Sequence, residues 1–225
     1  MYWDSTIIFL IPGLLLGLWA QSRVNSAYQK YSRIGTVRGL SAREAVSRLL
    51  AQEGAGDVTI TQTGGTLTDH YDPRSNTLRL SQGVYDSSSV AALGIAAHEA
   101  GHALQQKENY PFLALRSLMV PVVNIGSHLA WPIFFLGILS SFEFLQTAGI
   151  LLFALVVLFS LITLPVEFDA SRRAMKMLAG SGYLTQDEEK GAQAVLNAAA
   201  MTYVASFVSA LMQLVRLLAI ARRRD

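Results

Sequence analysis

Long, nearly unbroken apolar runs constrain this chain more than any other feature. Residues 5–20, 117–140, 144–166 and about 194–220 are each almost wholly apolar, with polar sequence confined between them. A helix needs about 20 apolar residues to cross a hydrocarbon core of about 30 Å. In lipid every backbone polar group must be satisfied within the structure, so runs of this kind form helices. The chain is 52% hydrophobic and 15% charged, and that charge content is far below the roughly 25% of soluble domains. The expected fold class is an α-rich integral membrane protein of α+β type with about four membrane helices.

The first run reads as an uncleaved anchor rather than a signal peptide. "MYWD" before it carries no Lys or Arg, and Trp19-Ala20-Gln21 is a poor small-residue cleavage site. The basic residues Arg23, Lys30, Arg33 and Arg38 come after it, so the N-terminus is expected outside and the polar block that follows in the cytoplasm. Four crossings would then leave "ARRRD" outside, against the same rule. Either the last helix is only partly inserted or one crossing is miscounted. Gly13 and Gly17 form a small-xxx-small pattern that either packs on another helix or arises by chance.

Between the runs the chain organises into segments. Residues 1–21 are the anchor, 22–110 a polar block, 111–166 a membrane hairpin turning near "SSFEF", and 167–225 a helix leaving the bilayer followed by a last membrane helix. In the polar block, "SAREAVSRLLAQEG" predicts a helix with Ser41 and Glu44 as a capping box and Gly54 as its stop. "DVTIT", "TLTDHY" and "TLRLS" predict a small sheet of about three strands. Asp86 or one of Ser87, Ser88 and Ser89 caps the next helix, which runs to about residue 107. After "LPVEFDASRRAMKMLAG", stopping at Gly180, Thr185 and Glu188 form a second capping box.

That next helix carries "GIAAHEAGHALQQ", residues 94–106. Residues four apart share a helix face, so His98 and His102 can address one ion. There are no cysteines, which excludes disulfides, thiolate ligands and cysteine nucleophiles and leaves His and carboxylates as metal ligands. A net charge of +2, spread at the ends of apolar runs, excludes a nucleic-acid face. A catalytic zinc takes three protein ligands and keeps a position open. Glu99, one residue past the first His, suits the general base that takes a proton from zinc-activated water. Ala96, Ala97, Ala100, Gly101 and Ala103 keep the helix slim, and Gly101, costing about 1 kcal/mol in a helix interior, predicts close approach of another backbone.

For the third ligand, His70, His128 and the later carboxylates compete. His128 lies mid-run beside Asn124, where a polar residue is expected to face the bundle interior and bond a neighbouring helix. His70, in "TDHYDP", binds substrate, caps a turn or is solvated. Glu167 in "LPVEFDASRRA" is better placed, because two crossings separate it from His102 and return the chain to the same side. Asp169 and Ser171 are expected to orient the ligands.

"LTDHYDPRSNTLRLS", "AAHEAGHALQ" and "LPVEFDASRRA", in this order among these runs, resemble the bacterial YugP-like family of membrane zinc metallopeptidases over nearly the whole chain. The resemblance implies a zincin-like metalloprotease domain built on the H-E-x-x-H helix, one Zn2+ per chain on His98 and His102, and Glu99 as catalytic base. It also implies a multi-pass protein of the bacterial inner membrane. More distantly the layout is similar to the HtpX-like and CAAX prenyl protease group, where a Glu on a later helix completes the site and an Asp follows four residues on. Glu167 matches that Glu, but the fourth residue after it is Ser171 and the nearby acid is Asp169. The expected function is a zinc-dependent membrane metalloendopeptidase acting on peptide or membrane-protein substrates at the lipid bilayer, with no nucleic-acid partner. The substrate would pair with the edge of "TLRLS", and His70, Tyr71, Arg172 or Arg173 would stabilise the oxyanion or touch substrate. The rival is a non-enzymatic membrane scaffold or chaperone-like partner retaining the fold.

Overall fold

The computed structural model describes residues 5–222. The leading "MYWD" and the closing Arg223, Arg224 and Asp225, on which part of the charge reading rests, lie outside them. A 3-10 turn over Ser5–Leu10 leads into α1 (Ile11–Tyr31), followed by α2 (Ala42–Gln52). Strands β1 (Thr59–Thr63), β2 (His70–Asp72) and β3 (Thr77–Ser81) come next, then a short α3 (Gln82–Tyr85) and α4 (Val90–Lys107). Three long helices complete the chain: α5 (Pro111–Ser140), α6 (Glu143–Ser181) and α7 (Gln186–Arg222). The segment Ser5–Tyr31 and helices α5, α6 and α7 are each long and apolar enough to cross a membrane. The protein is α-rich and membrane-competent with one small sheet, as expected.

Packing separates two units. The first comprises residues 1–21, 114–165 and 201–225, the apolar stretches. Among its described residues, some glycines mark close helix contacts. A methyl group at Gly13 would lie 2.8 Å from Ser209 Cα, so the α1 backbone closely approaches α7 there. Gly17 has nothing within 4 Å, so only the first glycine of the small-xxx-small pair makes an approach. The α5–α6 hairpin turns at Ser141, in the left-handed region at φ 54°, where "SSFEF" predicted it. Val123, Ala130 and Phe134 are buried on one α5 face with Gly126. His128 lies about 200° round the helix from Gly126, and both it and Asn124 are exposed. The expectation that His128 faces inward is therefore wrong, because the packed face of α5 runs through 123, 126, 130 and 134.

The second unit, residues 22–113 and 166–200, is built round α4. Ser89 caps α4, its side chain accepting from the Ala92 amide. Ser41 and Glu44 form the predicted capping box on α2, which Gly54 ends at φ +69°. Thr185 and Glu188 form the predicted box at the head of α7, the Glu188 carboxylate accepting from the Thr185 amide at 2.7 Å. Around α4 the buried Leu49, Leu50, Leu78, Leu80, Leu93, Leu178 and Leu196 form one apolar cluster. Each such side chain contributes about 1.5–3 kcal/mol of burial.

The sheet order is β1-β3-β2, with β3 parallel to β1 and antiparallel to β2. "TLRLS" is thus the central strand. Its Leu78 and Leu80, on one face, are fully buried, and its two edges are taken by β1 and β2. The β2–β3 turn is tied by Asp72, which accepts from the Ser75 hydroxyl at 2.7 Å and the Arg74 amide at 3.0 Å. Those bonds, with Arg79, hold its carboxyl at about 2.

α6 runs unbroken through Pro165 and ends at Ser181, one residue beyond the predicted stop; Gly182, at φ +66°, makes the turn. Its backbone presses on α4 where the sequence predicted contact. A methyl group on Gly101 would stand 2.5 Å from the Ala170 carbonyl oxygen. Gly101→Ala should therefore cost about 1–3 kcal/mol through overpacking, despite the helix propensity gained. Gly17→Ala, in open space, should be neutral or stabilising by up to about 1 kcal/mol. Thermal unfolding of the two variants in detergent measures the difference.

Candidate metal centre

Helical spacing sets the first half of the site. His98 and His102 lie one turn apart on α4, with ring centroids 4.9 Å apart and ring planes at 84°. Helix α6 supplies the other half. The close pass at Gly101 brings Glu167 opposite the rings, with Oε2 3.2 Å from His98 Nε2 and 3.6 Å from His102 Nε2. The three ligand atoms all lie within 4.8 Å of one another. Ligands about 2.05 Å from a tetrahedral ion stand about 3.3 Å from each other, so the two measured spacings suit one small cation. Two imidazole nitrogens and a carboxylate oxygen, without sulfur, are also a donor set that zinc accepts. Among the described residues this is the group that could hold a metal.

The outer ring nitrogens are also engaged. His98 Nδ1 is 3.1 Å from Ser171 Oγ, and His102 Nδ1 is 3.0 Å from Gln105 Oε1. Ser171 thus stands where an orienting residue was expected, although it serves His98 and not Glu167. Asp169 does not touch a ring. It accepts from Gln105 Nε2 at 2.9 Å, from Arg173 Nε at 2.6 Å and from Arg172. Gln105 was not among the predicted residues. Its position three after His102, on the same helix face, was the available signal.

Glu99 is nearly buried and its Oε2 accepts from the backbone amide of Tyr71 on β2 at 3.0 Å. That amide points away from β3. The other predicted substrate contacts divide. Tyr71 contributes its backbone, while its hydroxyl donates to Asn76 Oδ1 at 2.8 Å. Arg172 and Arg173 pair with Asp169, and Arg173 also binds Glu108 at 2.6 Å. The His70 ring is exposed, its Nδ1 2.8 Å from the Thr68 carbonyl. The expected docking edge at "TLRLS" does not exist, since β3 is paired on both sides. The strand with an outer edge beside Glu99 is β2.

Electrostatics favour a cation here. Burial pushes the His102 imidazole down, but the Glu167 hydrogen bond and the Glu99 and Glu167 charges outweigh it and raise its pKa above 6.5. Its proton is therefore held to a higher pH than that of an ordinary histidine.

Residues 6–222 match a family described as "Putative neutral zinc metallopeptidase". The chain is also 44% identical over 212 residues to the "Putative membrane protease YugP" of Bacillus subtilis (strain 168), covering 93% of each chain. No solved structure matches.

A metal bound to His102 would have to displace its proton, and a raised pKa means that proton is still held where an ordinary histidine has lost it. Zinc affinity should therefore fall with decreasing pH, starting above the ordinary histidine range of about 6.5. Chelator competition at a series of pH values measures the onset. An affinity that stays flat until well below that range would show that the proton is not held.

Proposed function

The chain belongs to this family of neutral zinc metallopeptidases, and on that premise we propose that it is a membrane-embedded endopeptidase whose metal is held by His98, His102 and Glu167. The observation that carries the reading is the convergence of these three side chains beside a carboxylate steered by a strand amide. Zinc supplies Lewis acidity when bound, polarising a carbonyl oxygen and acidifying water. The protein's own residues do the rest.

Glu99 serves as general base, taking the proton of the attacking water and passing it to the leaving amine nitrogen. The Tyr71 amide holds one Glu99 oxygen at 3.0 Å, which fixes the direction of the other. Ser171 and Gln105 aim the two rings by bonding their outer nitrogens. The peptide aligns along the outer edge of β2 by strand addition, within reach of Glu99. Of the four residues considered for the oxyanion or substrate, His70 is the one retained, because the Tyr71 hydroxyl, Arg172 and Arg173 are committed to Asn76 and Asp169. A non-enzymatic scaffold has no use for a base held in this way. The basic residues Arg23, Lys30, Arg33 and Arg38 after the first apolar run support a cytoplasmic position for this unit in a bacterial membrane.

Two experiments test the reading on purified full-length protein. Glu99→Gln should lower casein hydrolysis by about 10²–10⁴-fold while zinc stays near one per chain; undiminished cleavage would remove Glu99 from the mechanism. Glu167→Ala should lose bound zinc to the same extent as His98→Ala. Full zinc occupancy in Glu167→Ala would remove it from the ligand set.

A further inference from the structure

Gln105 is a long amide with no exposed surface, lodged between α4 and α6 in an alanine- and leucine-rich core. Burying an amide costs free energy unless its hydrogen bonds are made, so its partners show what it does. Both Nε2 hydrogens are used, one on the Val166 carbonyl at 2.8 Å and one on Asp169 Oδ2 at 2.9 Å. These acceptors flank Glu167 in sequence. The remaining atom, Oε1, lies 3.0 Å from His102 Nδ1.

The orientation of the amide is forced. Reversed, it would set its oxygen against a carbonyl and a carboxylate, two acceptors with no proton to share. With Nε2 held by both, only Oε1 can face His102, and Oε1 cannot donate. His102 Nδ1 must therefore carry a hydrogen, which in the neutral ring leaves the lone pair on Nε2, the atom 3.6 Å from Glu167. Ser171 cannot do the same for His98, because a hydroxyl both donates and accepts and so suits either tautomer.

We propose that Gln105 is the positioning residue of the metal centre: it locks the metal-binding tautomer of His102 and, through Val166 and Asp169, ties that ring to the α6 segment bearing Glu167. This rests on the reading that His98, His102 and Glu167 hold zinc. One side chain thereby sets two variables, which nitrogen of His102 is offered and how the α4 ligands stand against the α6 ligand. Asp169 acts one step further out. It holds the amide, and Arg172 and Arg173 hold Asp169.

The test is zinc affinity by chelator competition on the full chain, beside thermal unfolding of the metal-free protein. Gln105→Leu, of similar size without polar atoms, should weaken zinc by roughly 10- to 100-fold. Ser171→Ala should weaken it less. A merely structural glutamine would lower the melting temperature of the metal-free protein and leave affinity within about threefold of wild type, and that result would overturn the proposal. Gln105→Met, also close in size and without donors or a strong acceptor, should lose affinity to the same extent and serves if the leucine variant does not fold. A readout on wild type alone stands apart from both. In zinc-loaded protein labelled with ¹⁵N-histidine, His102 should carry its proton on Nδ1 and the metal on Nε2; metal on Nδ1 would overturn the assignment. Wild type that binds no zinc would instead sink the peptidase reading itself.

Discussion

Everything at the metal centre depends on two helix backbones coming closer than side chains ordinarily allow. At Gly101 the Ala170 carbonyl occupies the space where any other residue would carry its first carbon. Ala97 on α4, one turn before Gly101, and Ala174 on α6, one turn after Ala170, are small and buried as well. Small side chains bury little area, so this contact is not where most of the cohesion lies. That comes from the leucines of α2, β3, α4, α6 and α7 packed around it. Large residues supply burial, and the small ones at Gly101 and Ala170 supply the proximity that brings His98, His102 and Glu167 together.

Proximity alone would be unfavourable, since it draws Glu99, Gln105, Glu167, Asp169 and Ser171 out of water together. The network answers that cost by satisfying each group with another. Asp169 is met by Gln105 and two arginines, Gln105 by His102 and a main-chain carbonyl, and Glu99 by the Tyr71 amide. Buried polar groups arranged this way are rigid, and rigidity is what a metal held between two helices would require.

Much of this could be read from the chain. Apolar runs of membrane length, two capping boxes and the His98/His102 spacing depend on local chemistry, which sequence records directly. Glu167 was found by counting crossings, because an even number returns a chain to the side it left. What escaped was what depends on neighbours distant in sequence. The placing of β3 between β1 and β2 is a matter of which strand is covered on both sides, and three short alternating segments look alike in that respect. His128 has its direction set by the glycine and alanine positions of α5 that pack, not by its own polarity. Gln105 sits beside Gln106 in the same motif, and only the approach of Val166 and Asp169 tells them apart.

The Tyr71 amide has one hydrogen and, on the proposed reading, two claimants. It now grips Glu99 from the rim of β2, the same rim on which an arriving peptide would look for a partner. It cannot serve both fully, so a chain that zips onto that rim must loosen the carboxylate as it seats. Until then the carboxylate stays tethered, and on that reading its release coincides with the arrival of the peptide.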